Sequence, residues 1–189
     1  MAIWIGGFAV TAVLLALLLL FVVRPIVTRC KVVRRESIAV PLLGGKQCDF
    51  CLEGYSNDSR KHEFDDAIAN FLKLEPSALQ VAESYLFRYY KDCEEDWRSH
   101  DRDFQPIDSP SGVWNCVSFS GEVTVSRRRR EDKGVYLSLE GNCDWEEEHG
   151  LQLVFRDGNR LAKVGPCDGH VTNADSYDDD SLEGVIYVS

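Results

Sequence analysis

The hydrophobic pattern of the chain begins with one long apolar stretch. Residues 3–23 carry no charged side chain, and these 21 residues span roughly 30 Å as a helix, about the thickness of the hydrocarbon core of a bilayer. A cleaved signal peptide is the alternative. It requires a charged start and a small-residue cleavage site, whereas this run has an uncharged start and ends in Phe-Val-Val before Arg24. The pattern therefore predicts a transmembrane anchor over residues 1–24.

The pattern after the anchor predicts one soluble domain of class α+β over residues 37–189. Residues 37–43 and 48–55 are typical of two strands of a hairpin, and apolar spacings of three and four predict helices over residues 64–72 and 77–97. The period then changes to two, which predicts a mainly antiparallel β-sheet packed against the two helices. The predicted strands cover residues 113–119, 122–126, 135–139, 151–155, 161–164 and, as a last short strand, 184–188.

Charge is divided unevenly between the start of the chain and the remainder. The net charge is −10, yet the first acidic residue is Glu36. Residues 25–36 are predicted to form a basic juxtamembrane stem between the anchor and the domain. Because Arg24 and the cations of this stem all follow the apolar run, the positive-inside rule predicts a cytoplasmic domain, an outer N-terminus and an inner-membrane location. The acidic domain is a poor candidate for nucleic-acid binding. The cations expected to contact lipid phosphates are Arg24, Arg29, Lys31, Arg34 and Arg35.

The seven cysteines are spread along the chain and are odd in number, which favours reduced thiols over a disulfide scaffold. Two short pairs are candidates for a zinc site: Cys48-x-x-Cys51 and Cys167-x-x-His170. Together they supply three thiolates and one imidazole, a typical tetrahedral set. The alternative is that these thiols are buried or incidental, because a strand directs Cys48 and Cys51 to opposite faces. Apart from this zinc alternative, no cofactor is expected.

The densest group of chemically active side chains lies at residues 143–151. Here Glu148 precedes His149, and an adjacent carboxylate can orient an imidazole for acid–base catalysis. The alternative is a structural turn in which Cys143 and Trp145 pack inside and Gly150 adopts a conformation closed to other residues. The four residues Cys143, Trp145, Glu148 and His149 are therefore a candidate functional cluster whose role the sequence leaves open.

The order C-x-W-x-x-E-H-G-L at residues 143–151 resembles the core of a bacterial family of uncharacterised domains. The helices over residues 64–72 and the aromatic run over residues 85–90 are also similar to that family, so that the resemblance covers residues 38–177. It implies one folded domain of bacterial origin and no particular activity. Similar W-x-x-E-H-G turns occur in proteins that resemble toxin-neutralising immunity factors.

Two further charged segments have alternative interpretations. Residues 127–130 are four arginines in a predicted turn, which favours either contact with anionic lipid headgroups or a solubilising surface. The acidic segment 168–183 lacks the order of ligands that an EF-hand requires. It is typical of a solvated loop, or of an acidic surface for a basic partner.

Taken together, these patterns favour a membrane-anchored, cytoplasmic, non-enzymatic protein-binding domain, with an immunity-type role as one concrete version. The expected partners are the lipid bilayer and a basic protein. The alternative is a zinc-binding protein or a hydrolase-like enzyme that uses Glu148, His149 and the cysteine pairs. A structural module of the membrane surface, using the four arginines, is a third hypothesis.

Overall fold

The computed structural model describes residues 33–99, 106–130 and 132–189. All of them belong to one compact unit, Lys31–Ser189. The predicted anchor over residues 1–24 lies outside the described residues and stays a prediction. Among the residues that the structure describes, no helix is both long and apolar enough to cross a membrane.

The described residues form six strands and three α-helices. Short 3-10 helices connect several of them, at Pro41–Leu43, Tyr55–Asn57, Pro76–Ala82, Pro110–Cys116 and Asp180–Leu182. The strands are β1 (Val33–Val40), β2 (Lys46–Glu53), β3 (Val117–Arg127), β4 (Val135–Cys143), β5 (Glu146–Arg156) and β6 (Arg160–Gly165). The helices are α1 (Lys61–Phe71), α2 (Glu83–Ser99) and α3 (Asn173–Tyr177).

The six strands form one sheet in the order β1-β2-β3-β4-β5-β6. Every neighbouring pair is antiparallel except β2 and β3, which are parallel. The parallel pair has a simple cause: both long helices lie in the connection between these strands, and a crossover of that length returns the chain in its original direction. The predicted class, α+β with a mainly antiparallel sheet, is therefore confirmed.

The main core lies between one face of the sheet and the two long helices. The buried side of α1 consists of Phe64, Ala67, Ile68 and Phe71, at the helical spacing from which the helix was predicted. Phe71 packs edge-to-face against Phe155 of β5 with ring centroids 5.6 Å apart. From α2, the fully buried Leu86 and Tyr90 enter the same core.

Several boundaries differ from the predicted ones. The two strands predicted over residues 113–126 are one strand, β3, which begins only at Val117, because residues 113–116 belong to a 3-10 helix. The register of β3 with β4 shifts between Phe119 and Val123, so a bulge replaces the predicted break. β1 begins at Val33, within the predicted basic stem. The predicted last strand is absent from the described residues, although the carbonyl of Ile186 accepts a hydrogen bond of 2.8 Å from the amide of Val164.

Candidate functional site

The β4–β5 hairpin contains the candidate cluster of residues 143–149, and a buried side chain holds its turn in place. Cys143 pairs with Glu146 across the hairpin, with Asp144 and Trp145 between them. The Trp145 side chain is 1% exposed and packs edge-to-face against Tyr89 and Tyr90 of α2, at centroid distances of 6.0 and 6.1 Å. Trp145 is thus a structural anchor that holds the hairpin against the helix.

Glu148 and His149 do not form an acid–base pair in the structure. They are neighbours in β5, and neighbouring strand residues project to opposite sides. The backbone amides of both residues donate to Oε1 of Glu146, at 2.8 and 3.2 Å, and the His149 imidazole lies 3.7 Å from the same oxygen. Burial raises the pKa of the Cys143 thiol to about 12, so this cysteine remains protonated at neutral pH.

Three carboxylates at this end of the hairpin remain available to solvent. Asp144, Glu147 and Glu148 are exposed, and none of them forms an ion pair with a described residue. The Asp144 carboxylate has one contact of note, a hydrogen bond with the Cys116 thiol, whose pKa is raised by burial and by that carboxylate. The hairpin therefore presents free negative charge on a rigid support.

The structure does not bring the four candidate zinc ligands together. Cys48 belongs to the core beside Phe50, whereas the Cys51 thiol lies on the other face of β2, where burial and a hydrogen bond with Glu122 raise its pKa to about 11. Cys167 and His170 follow β6, and the Cys167 thiol forms a hydrogen bond with Glu140 of β4. Among the described residues no group of three or more potential ligands is arranged to hold a metal ion.

The arginines after β3 form a network with distant carboxylates, and Arg127 begins it. Its guanidinium donates to Asp58 at 2.6 Å and to Glu63 of α1 at 2.5 Å. The hydrogen bond from Arg127 lowers the pKa of both carboxyl groups, although burial opposes this at Asp58. Arg127 therefore joins the end of β3 to the start of α1.

Arg128 is the most buried member of the network, with a side chain 5% exposed. It binds two carboxylates in bidentate fashion: Asp175 at 2.8 and 3.1 Å, and Glu183 at 2.8 and 2.9 Å. These hydrogen bonds raise the pKa of the Arg128 guanidinium. At Asp175 burial is the largest single influence and raises the pKa, but Arg128, Thr172 and Arg130 together outweigh it, so that the pKa of this carboxyl group is lowered.

Arg130 continues the network on the surface, with ion pairs to Asp178, Asp175 and Asp180. Arg129 is exposed and has no acidic partner among the described residues. The arginine turn was predicted as a lipid contact or a solubilising surface, and the acidic segment as a solvated loop or a surface for a basic partner. The structure corrects the picture of two separate free surfaces, because much of the charge of each is neutralised by the other.

A buried lysine holds the same C-terminal segment from the sheet side. Lys163 of β6 is 1% exposed, and its ammonium group donates to the Asp168 carboxylate, the His170 carbonyl and the Ser176 hydroxyl. Burial lowers the pKa of Lys163, while Asp168 acts in the opposite direction. Sequence reasoning missed Lys163, since nothing in an alternating strand distinguishes a buried lysine from an exposed one.

The predicted membrane-surface cations lie partly within the described residues. Arg34 and Arg35 belong to β1, where Arg34 lies 3.1 Å from Glu122 and Arg35 pairs with Asp65. Arg24, Arg29 and Lys31 lie outside the described residues.

The comparisons with known proteins bear on the family alone. No curated protein and no solved structure matches the chain. A family model described as a domain of unknown function, DUF6985, matches residues 26–171. The match includes all six strands and the two long helices, and it ends immediately before the Thr172 cap of α3. The predicted membership of an uncharacterised domain family is thereby confirmed, and the chain belongs to the DUF6985 family of domains of unknown function.

Proposed function

We propose that the chain is a membrane-anchored protein whose domain binds a basic protein through the β4–β5 hairpin. The observation that carries this proposal is the set of three exposed carboxylates, Asp144, Glu147 and Glu148, without a cationic partner among the described residues. They lie on a hairpin that Trp145 fixes against α2. Pre-positioned charge of this kind binds an opposite surface with little loss of conformational entropy.

The charge of the whole chain supports the same class of partner. A net charge of −10 attracts cationic proteins and accelerates their association. Such a charge disfavours nucleic acid, whose phosphates require a positive surface. A toxin with a basic, nucleic-acid-binding face is one partner that fits, and neutralising it by contact would be an immunity-type role.

The anchor and its orientation are part of the proposal. The apolar run over residues 3–23 is long enough to span a bilayer, and the cations that follow it favour a cytoplasmic domain with the N-terminus outside. The partner would then be a protein that reaches the inner face of the inner membrane. Binding is favoured over catalysis because Glu148 and His149 project to opposite sides of β5 and the four candidate zinc ligands do not form a metal site.

The test uses the full chain, solubilised from membranes, as the bait for protein capture. In the hairpin variant, Asp144→Asn, Glu147→Gln and Glu148→Gln are combined. The control variant carries Asp66→Asn, Glu75→Gln and Asp108→Asn, which change the net charge by the same amount at exposed positions.

We expect the wild type and the control to capture the same basic protein, with capture weakening as salt is added. The hairpin variant should lose it. Equal capture by the hairpin variant and the wild type would exclude the hairpin as the binding surface.

A further inference from the structure

The acidic loop over residues 175–183 is tethered at both ends. Before it, Thr172, Asn173 and Ala174 are buried. After it, Tyr187 is 6% exposed and its hydroxyl donates to Asp92 of α2 at 2.6 Å. Between these anchors, Tyr177 is 58% exposed. Both ends of the loop are therefore fixed, whereas part of the segment between them is exposed to solvent.

Ion pairs to two arginines hold the acidic side chains of this loop, while hydrogen bonds of Ser176 with Lys163 and Asp168 hold its first turn. Arg128 binds Asp175 and Glu183, and Arg130 binds Asp178. The carboxylates are unequally protected: the side chain of Asp178 is 84% exposed and that of Glu183 is 50% exposed, whereas that of Asp175 is only 14% exposed. Exposed pairs of this kind are weakened by water and salt and exchange readily.

The arginine surface is wider than the part that the loop covers. An open cleft of about 430 Å³ continues past it. Its charged lining consists of the four arginines of residues 127–130 and two carboxylates, Glu53 and Asp175. Arg129 faces this cleft without an acidic partner among the described residues. A second cleft of about 590 Å³ is lined by Arg128 and Arg130 together with Asp132, Asp180 and Glu183. The two guanidinium groups there already pair with Glu183 and Asp180, so an incoming acidic segment has to displace the loop to reach them.

We propose that the surface of Arg128, Arg129 and Arg130 is a docking site for an acidic peptide segment of a partner protein. The loop of residues 175–183 then acts as the intramolecular occupant that such a segment displaces. The chain's own loop indicates the class of ligand, because guanidinium groups pair with carboxylates in bidentate geometry and an acidic peptide already fits there. The family match ends at residue 171, so the docking surface lies within the family domain and the covering loop lies outside it.

This site is independent of the hairpin, and competition with the loop sets how tightly an outside peptide can bind. A tethered loop competes at an effective concentration of millimolar order, so an outside peptide binds the intact protein weakly. Neutralising the loop removes the competitor and leaves the arginines unchanged.

The probe is a fluorescent peptide with the sequence of residues 174–184, titrated into the full chain. The loop variant combines Asp175→Asn, Asp178→Asn and Glu183→Gln. The hairpin variant Asp144→Asn, Glu147→Gln and Glu148→Gln is the control, since it changes the net charge equally elsewhere. A milder variant, Asp178→Asn with Asp180→Asn, alters only highly exposed carboxylates and decides the question if the loop variant fails to fold.

We expect the loop variant to bind the peptide at least about tenfold more tightly than wild type and control, and the milder variant to show a smaller increase. Adding Arg129→Ser and Arg130→Ser should abolish the gain. Two results would overturn the proposal: a folded loop or milder variant that binds no better than wild type, or an equal gain in the hairpin control.

Discussion

Gly158 lies at the point where the turn between β5 and β6 approaches helix α1 most closely. Its φ is +80°, and a Cβ at this position would lie 1.9 Å from the carbonyl oxygen of Ala67. The same turn receives a hydrogen bond of 3.2 Å from the Asn70 side chain to the carbonyl of Asp157. A glycine is therefore required here for space as well as for backbone conformation.

The substitution Gly158→Ala should lower the free energy of unfolding by on the order of 2–4 kcal/mol, combining the left-handed backbone cost with overpacking. Gly184→Ala is the matched control, since Gly184 has a φ of +77° and open space around it. The control should cost only about 1–2 kcal/mol, the backbone part alone. Urea unfolding of both variants measures the difference, and equal losses would show that the contact with Ala67 is unimportant.

Individual residues also show that local geometry can be predicted from the sequence, whereas contacts between distant segments cannot. Alternation in a strand correctly separated Cys48 from Cys51, because that depends on local geometry alone. The partners of Arg128 were not predictable in this way, since Asp175 and Glu183 follow it by 47 and 55 positions. Runs of opposite charge at residues 127–130 and 175–183 were the available signal, and the prediction treated each run as free surface.

At the scale of elements, the hydrophobic pattern predicted the hairpin of β1 and β2, both long helices and the β5–β6 turn, because each depends on periodicity or turn chemistry within a short segment. It did not predict the parallel pairing of β2 with β3, which depends on the crossover through the helices. The β4–β5 hairpin has features of both kinds, some set within the hairpin and one set by a distant helix. Its strands were predicted, whereas the packing of Trp145 against Tyr89 required the position of α2.

The hairpin is expected to depend on that packing for its stability. Trp145→Ala should reduce the free energy of unfolding by about 3–5 kcal/mol, as large-to-small substitutions of core aromatics do. Tyr177→Ala, at a position 58% exposed, should change it by less than about 0.5 kcal/mol. The two variants are compared by denaturant unfolding. A small effect of Trp145→Ala would mean that the hairpin is held by other contacts.

At the scale of the whole molecule, ion pairs connect segments that are distant in sequence. Arg127 links β3 to α1, Arg128 links it to the segment after β6, and Lys163 holds that segment from the sheet. The fully buried apolar core lies on one face of the sheet, whereas these charged contacts hold the C-terminal segment. The stability of the molecule should therefore depend on pH through this network.

In the folded state the hydrogen bond from Arg127 lowers the pKa of the Asp58 carboxyl group, and burial opposes this shift. At Asp175 burial is the largest single influence and raises the pKa, but Arg128 and the other partners together outweigh it, so that this pKa is also lowered. Their contribution to stability should be fully present above the unfolded aspartate pKa of about 3.9, and lost as the pH falls through the lower folded pKa. Urea midpoints measured between pH 7 and pH 2 test this. Combining Asp58→Asn with Asp175→Asn should flatten the acid branch, and an unchanged pH profile would contradict the assignment.

The most direct test of the central claim, that the β4–β5 hairpin binds a basic protein, is site-specific photo-crosslinking in cells. A photoreactive residue replaces Glu147 in one full-length variant and Glu75, an exposed carboxylate outside the hairpin, in another. We expect a crosslink from position 147 to a single basic protein, of isoelectric point above about 9, and none to that protein from position 75. Crosslinks to that protein from both positions, or from position 147 to lipid alone, would contradict it.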